Sequence, residues 1–173
     1  NDIYNDADNC IEADGGALAG LHALSRAVRD ALPYRQGLTG SATSAAEALG
    51  GEGGVCQDHA HIFIAAARAQ GVPARYVAGY LLAGDEAHQQ FETHAWAEAY
   101  VGDLGWVGFD VANGVSPTDH YVRLCTGLDA DDAAHVRGIV TGGGAGVVSA
   151  DVRIASGEGD VAAVLHREVP GAG

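Results

Sequence analysis

The chain has no methionine and no lysine, only three cysteines, and few aromatic residues (6% of 173). Each scarcity excludes something. Nine bases, all arginine, stand against 23 acids, for a formal charge of −14. A nucleic-acid partner needs a basic face to neutralise phosphates, so that class is excluded, and an anionic membrane surface is disfavoured for the same reason. The acidity serves solubility or the attraction of a cationic substrate. Missing lysine beside abundant alanine, glycine and arginine reflects codon usage. No run approaches the ~20 apolar residues of a membrane span. The longest, Ile62 to Ala67, lies within a helical pattern, and no signal-peptide pattern stands in the chain. Cys10, Cys56 and Cys125 are too few and too scattered for a disulfide framework, so a reducing, cytoplasmic location is expected. The missing methionine and the start at Asn1 predict a further segment upstream.

What is present suits one domain over residues 1–173, with 47% hydrophobic residues, many of them alanine and glycine, packed into a close core. Residues 1–16 are acidic and read as an irregular lead-in. Leu18, Leu21, Leu24, Val28 and Leu32 recur at helical spacing, and Pro33 ends that helix. Ser44 with Glu47 forms a capping box for a short helix through Leu49. A loop of glycines, Gly50 to Gly54, leads to a helix from Cys56 to Gln70, closed by Gly71 and Pro73. Thereafter "ARYVAGYLL", "HAWAEAYV" and "GWVGFDVA" alternate with the period of strands. "HYVRLCTG", "VRGIVTG", "VVSADVRIA" and "VAAVLHREV" continue the pattern. Helices first and strands afterwards predict an α+β fold with an antiparallel sheet.

Cys56 is set between the glycine loop and the first turn of an apolar helix. There a sulfur meets unpaired N–H groups and the positive end of the helix dipole, both of which favour thiolate. Its own N–H is placed to help hold an oxyanion. A thiolate nucleophile needs a base, and the base an orienter. His94 at the start of one predicted strand and Asp110 at the end of the next become neighbours if the turn near Gly102–Gly105 closes a hairpin. The carboxylate then fixes which imidazole nitrogen faces the sulfur. A slip of one residue in register would turn one of the pair to the wrong face.

"GVCQDHAHIFIAAARAQGVPARYVAGY", "THAWAEAYV" and "GWVGFDVANG" together resemble the transglutaminase-like superfamily of papain-fold cysteine enzymes, in its bacterial branch, from about Tyr34 to Gly142. The resemblance implies a papain-like core of N-terminal helices packed on an antiparallel sheet. It also implies a Cys56–His94–Asp110 triad and acyl chemistry on a peptide or protein amide by way of a thioester. No cofactor is expected. Relatives carry an upstream β-rich segment, which implies pairing with such a segment, or with a second copy of the chain. The family usually has proline where this chain has Val111, and Gly-Arg-Asp-Tyr where it has Gly127, Leu128, Asp129 and Ala130; these departures bear on specificity. Hydrolysis, as in a cysteine protease or amidase, is the expected outcome. Transfer to an amine, as in a transglutaminase, and an idle peptide-binding module are the alternatives.

Further candidates carry two readings each. Gln57 and Tyr34 are possible oxyanion donors. Trp96 either roofs a substrate channel or fills the core. Asp58 complements the helix dipole. His59 and His61 point ~200° apart on a helix, so with Cys56 they make no zinc site, and none is expected. Arg75 pairs with an acid, Cys125 is a buried hydrophobe, and "TGGGAG" lacks the following helix of a phosphate cradle.

Overall fold

The computed structural model describes residues 16–40, 43–83, 90–134, 147–155 and 161–170. Helix α1 (Gly16–Ala31) buries Leu21, Leu24 and Val28 along the predicted stripe. Helix α2 (Ala45–Gly50) is capped by Ser44 and Glu47, each side chain bonding the other's backbone N–H. Helix α3 (Cys56–Ala69) ends at Gln70, after which Gly71 takes the left-handed φ of 75° that a side chain would resist.

Strands β1 (Ala74–Ala83), β2 (Gln90–Val101), β3 (Gly105–Phe109) and β4 (Tyr121–Gly127) form an antiparallel sheet in the order β3-β2-β1-β4. Strands β5 (Val147–Ala155) and β6 (Val161–Pro170) make a separate antiparallel ladder. The α+β expectation, helices on an antiparallel sheet, is therefore met. The predicted lead-in over residues 1–16 and Cys10, the "VRGIVTG" strand and "TGGGAG" lie outside the described residues, Gly16 apart.

Alternation along β2 divides the sheet's faces. Ala95, Ala97 and Ala99 join the main core with Phe63 and Ile64 of α3, Tyr76 of β1 and Phe109 of β3. Three alanines in a row on that face let the helix lie close to the strand. Phe63 and Phe109 stack with ring centroids 5.0 Å apart. The alternate residues of β2 are His94, Trp96 and Glu98. Glu98, 6% exposed, is held by Arg75 at 2.6 Å and Arg123 at 3.0 Å, so Arg75 does pair with an acid. The candidate site draws on both faces, since the cleft at Cys56 is lined by His94 from this one and by Ala95 from the other.

Candidate functional site

Cys56 is the first residue of α3, and the chain before it is held from three directions. Asp58 is 1% exposed, and its Oδ2 accepts the Val55 N–H at 2.7 Å and the Thr39 hydroxyl at 2.6 Å. It does more than complement the dipole: it ties the loop to the helix. Gly54 exchanges backbone hydrogen bonds with Pro33 and Arg35, and a Cβ there would come within 2.7 Å of the Asp58 carboxylate. His59, also 1% exposed, sets Nδ1 2.8 Å from the Val55 carbonyl and Nε2 2.9 Å from that of Leu32. It thus bridges the end of α1 to the start of α3.

His94 and Asp110 come from neighbouring strands. Ala97 pairs with Phe109 across β2 and β3, and this register sets Asp110, one residue past the end of β3, beside Trp96 and diagonal to His94. His94 Nε2 lies 2.6 Å from Asp110 Oδ2. Cys56 lines the same cleft as His94 and helps to raise the pKa of the ring. Two boundary expectations need correction. His94 lies inside β2, which begins at Gln90, and Asp110 follows β3 in an isolated bridge to Val115. The strand stops there because the chain turns, with Gly114 N–H and Val115 N–H both donating to the Asp110 carbonyl.

Asp110 is fully buried, and its carboxylate is well supplied with donors. Oδ2 accepts from Tyr121 Oη at 2.7 Å and Asn113 Nδ2 at 2.7 Å as well as from His94, and Oδ1 accepts the Asn113 N–H at 3.2 Å. Burial pushes its pKa up, but the bond to His94, the His94 charge and the Tyr121 and Asn113 bonds outweigh that and lower it. For His94, burial works against the charged ring. Hydrogen bonds to Asp110 and Cys56 and the charge of both overcome it, raising the pKa to about 9. Asn113 and Tyr121 were missed by sequence reasoning. "DVANG" carried a signal for the first, since Asp and Asn around a glycine mark a side-chain-stabilised turn. Tyr121 comes from β4, and nothing local announced it.

A cleft of about 320 Å³ opens over Cys56, lined by Gln57, Tyr76, Ala78, Gly79, Thr93 and His94, with Ala95, Ala130, Ala133 and Ala134 along its sides. The 128–134 segment is hung on α3: Ala130 N–H donates to His61 Nε2 at 3.1 Å, and Arg68 donates to the Leu128 carbonyl. His61 therefore lies beneath the cleft wall, and burial lowers its pKa. Trp96 is 3% exposed and does not line the cleft; it backs His94, ring centroids 6.3 Å apart, and packs on Tyr121. Tyr34 is exposed, stacks on His59, and has its pKa raised by partial burial and then by Cys56. Gln57 lines the cleft with its Nε2 buried and without an acceptor. Cys125 is only partly buried at the core's edge. Among the described residues no three His, Cys, Asp or Glu side chains stand close enough to hold a metal ion.

A thiol at a helix start shares a cleft with an imidazole that is hydrogen-bonded to a buried carboxylate, and such parts can carry acyl transfer. The model of the transglutaminase-like superfamily core matches residues 7–111. The chain belongs to the transglutaminase-like superfamily. Among its curated relatives, an uncharacterized protein of Mycobacterium leprae is 35% identical over 82% of this chain and 54% of its own length. One of Mycobacterium tuberculosis is 33% identical over 81% and 48%. The chain thus spans about half the length of the curated relatives it matches. Among solved structures, a candidate cysteine protease from Cytophaga hutchinsonii superposes with a TM-score of 0.64 at 32% identity, over 76% of this chain and 44% of that one. The periplasmic domain of TgpA from Pseudomonas aeruginosa gives 0.48 at 27% identity, over 65% and 44%. Family and fold together support a transglutaminase-like, cysteine-protease-like class of enzyme. The expected cytoplasmic location is corrected, because scarce cysteine does not assign a compartment; the TgpA domain, for its part, is periplasmic. No helix among the described residues is long and apolar enough to cross a membrane.

Proposed function

We propose that this transglutaminase-like chain cleaves peptide or side-chain amides through a thioester on Cys56, with His94 as acid and base and Asp110 as the orienter. The observation that carries the reading is the 2.6 Å contact of Asp110 Oδ2 with His94 Nε2, on a ring that lines the same cleft as Cys56 and whose pKa Cys56 helps to raise. In this reading Cys56 Sγ attacks the amide carbon, and the carbonyl electron pair moves to oxygen. As the tetrahedral species collapses, His94 Nδ1–H gives its proton to the departing nitrogen. An amine leaves and a thioester remains. Water, losing a proton to His94, then attacks the thioester and releases the acid.

The experiment uses peptide and glutamine-based electrophiles, with labelled sites mapped by mass spectrometry, followed by turnover of peptide amides with and without an added primary amine. Exclusive labelling at Cys56, lost in His94→Ala, and carboxylic acid as the product are the expected results. Labelling spread equally over Cys56 and Cys125 would overturn the assignment. Conversion of the added amine to an amide in place of acid would make the chain a transglutaminase.

A further inference from the structure

The walls of the cleft at Cys56 carry almost no side-chain bulk and no fixed charge. Ala78 and Ala95 are a cross-strand pair of β1 and β2 on the helix-facing side of the sheet, and both line the cleft. Gly79 beside them adds no side chain. Ala130, Ala133 and Ala134 supply more of the lining. Their segment is held by its own bonds as well as by His61 and Arg68. Leu128 N–H donates to Asp132 Oδ2 at 2.9 Å, and Ala133 N–H donates to the Asp129 carbonyl at 3.0 Å. The small walls therefore belong to a built surface. They leave about 320 Å³ open, within the ~300–1,000 Å³ of sites that hold small molecules.

None of the 23 acids and none of the nine arginines lines this cleft; its ionisable side chains are Cys56, His94 and Tyr76. A charged group entering it would lose water and find no fixed partner, which is costly. An alkyl or aromatic group would gain by leaving water. The reaction proposed above says which part of a substrate stays there. The amine departs at the first step, whereas the acyl group remains bonded to Cys56 Sγ until water releases it. We propose that the cleft binds the acyl side of the substrate and selects an apolar, uncharged acyl group larger than acetyl, with Ala78 and Ala134 setting the size it admits. In a peptide this is the carbonyl of a residue with an aliphatic or aromatic side chain. The assignment rests on Cys56 being the nucleophile and deepens that reading.

The test uses p-nitrophenyl acetate, butyrate and hexanoate, with the monoester of adipate as a charged counterpart of hexanoate. Cys56 Sγ bonds to the carbonyl carbon, the C–O bond to the leaving group breaks, and p-nitrophenolate departs to leave an acyl thioester. Each burst rate is divided by the rate of the same ester with 2-mercaptoethanol, which removes intrinsic reactivity, and moderate salt screens the charge of the protein. The corrected rate should rise by about two- to fourfold for each methylene from acetyl to hexanoyl, the effect of burying that group. Adipoyl should lose most of the gain. In Ala78→Leu the added side chain takes space in the cleft, so the hexanoyl-to-acetyl ratio should fall towards one. Ala134→Leu repeats the measurement at an exposed position, where a larger side chain leaves the core alone. A burst that does not depend on acyl length, adipoyl reacting as fast as hexanoyl, or a ratio unchanged in both variants would overturn the assignment while leaving the nucleophile standing. No burst with any ester would overturn the thioester reading, and this inference with it.

Discussion

At the residue scale the distribution of bonds around Asp110 separates orientation from charge. Its carboxylate accepts from His94, Tyr121 and Asn113, so the imidazole is held whether or not the group behind it is an anion. An asparagine oxygen can accept the His94 N–H, but it cannot balance an imidazolium. Asp110→Asn should therefore keep clearly more activity than Asp110→Ala. It should still lose the ~1.5–3 kcal/mol of a charge-assisted bond, or roughly one to two decades in rate. The pH profile carries a second signature. The His94 pKa is raised to about 9, so the imidazolium is present below that value and lost as pH rises through it. Activity that needs the imidazolium, and the stability it lends, fall on the alkaline side. Removing the Asp110 charge takes away part of what raises this pKa, so the alkaline limb of Asp110→Asn should move to lower pH. Rates measured from neutral to strongly alkaline pH check both parts. Equal losses in the two variants, or an unmoved limb, would remove Asp110 from the role of orienter.

At the element scale the site depends on how strands meet, and Gly79 shows where the tolerance is smallest. It stands opposite His94 in the β1–β2 ladder, at an irregularity in the pairing of β1 with β4. A Cβ at this position would run into the Val122 carbonyl and come within 2.8 Å of the Trp96 ring. Because Trp96 backs His94, relief of that clash would displace the imidazole or open the edge between β1 and β4. Gly79→Ala should cost ~1–3 kcal/mol, the usual penalty of overpacking, and should reduce turnover by more than the lost folded fraction explains. Thermal melts read beside Cys56 alkylation rates would show it. An unchanged melting temperature would mean that the sheet gives way locally and the glycine is not required.

At the scale of the whole molecule the charge of −14 is a field rather than a contact. Surface potentials steer charged ligands and are screened over ~8–10 Å at moderate salt. Among peptide amides of equal length, cationic ones should show the higher kcat/KM at low ionic strength, and the preference should shrink as salt is added. A preference that is absent, or insensitive to salt, would assign selectivity to the cleft walls alone. The same scale bears on metals: with no ligand cluster among the described residues, turnover should survive prolonged chelation. Loss in EDTA restored by zinc or calcium would contradict that.

Much of this molecule was legible from its sequence because the signals are local. Helix α1 follows from leucines spaced by a turn, α2 from Ser44 and Glu47, and the close of α3 from Gly71 and Pro73. Alternation marked β1 to β4, and a cysteine at a helix start, with a histidine and an aspartate further along the chain, marked the candidate site. Those patterns depend on residues a few positions apart, where spacing alone fixes which side chains share a face. The remainder depends on residues far apart in the chain. Tyr121 joins Asp110 from another strand, His59 reaches the end of α1, and His61 pins Ala130 across 69 residues. The burial that leaves Gln57 Nε2 without an acceptor likewise exists only once the cleft walls have assembled. No sequence period encodes such meetings. They are decided when helix and sheet pack, because only then is each polar group removed from water and obliged to find its partner.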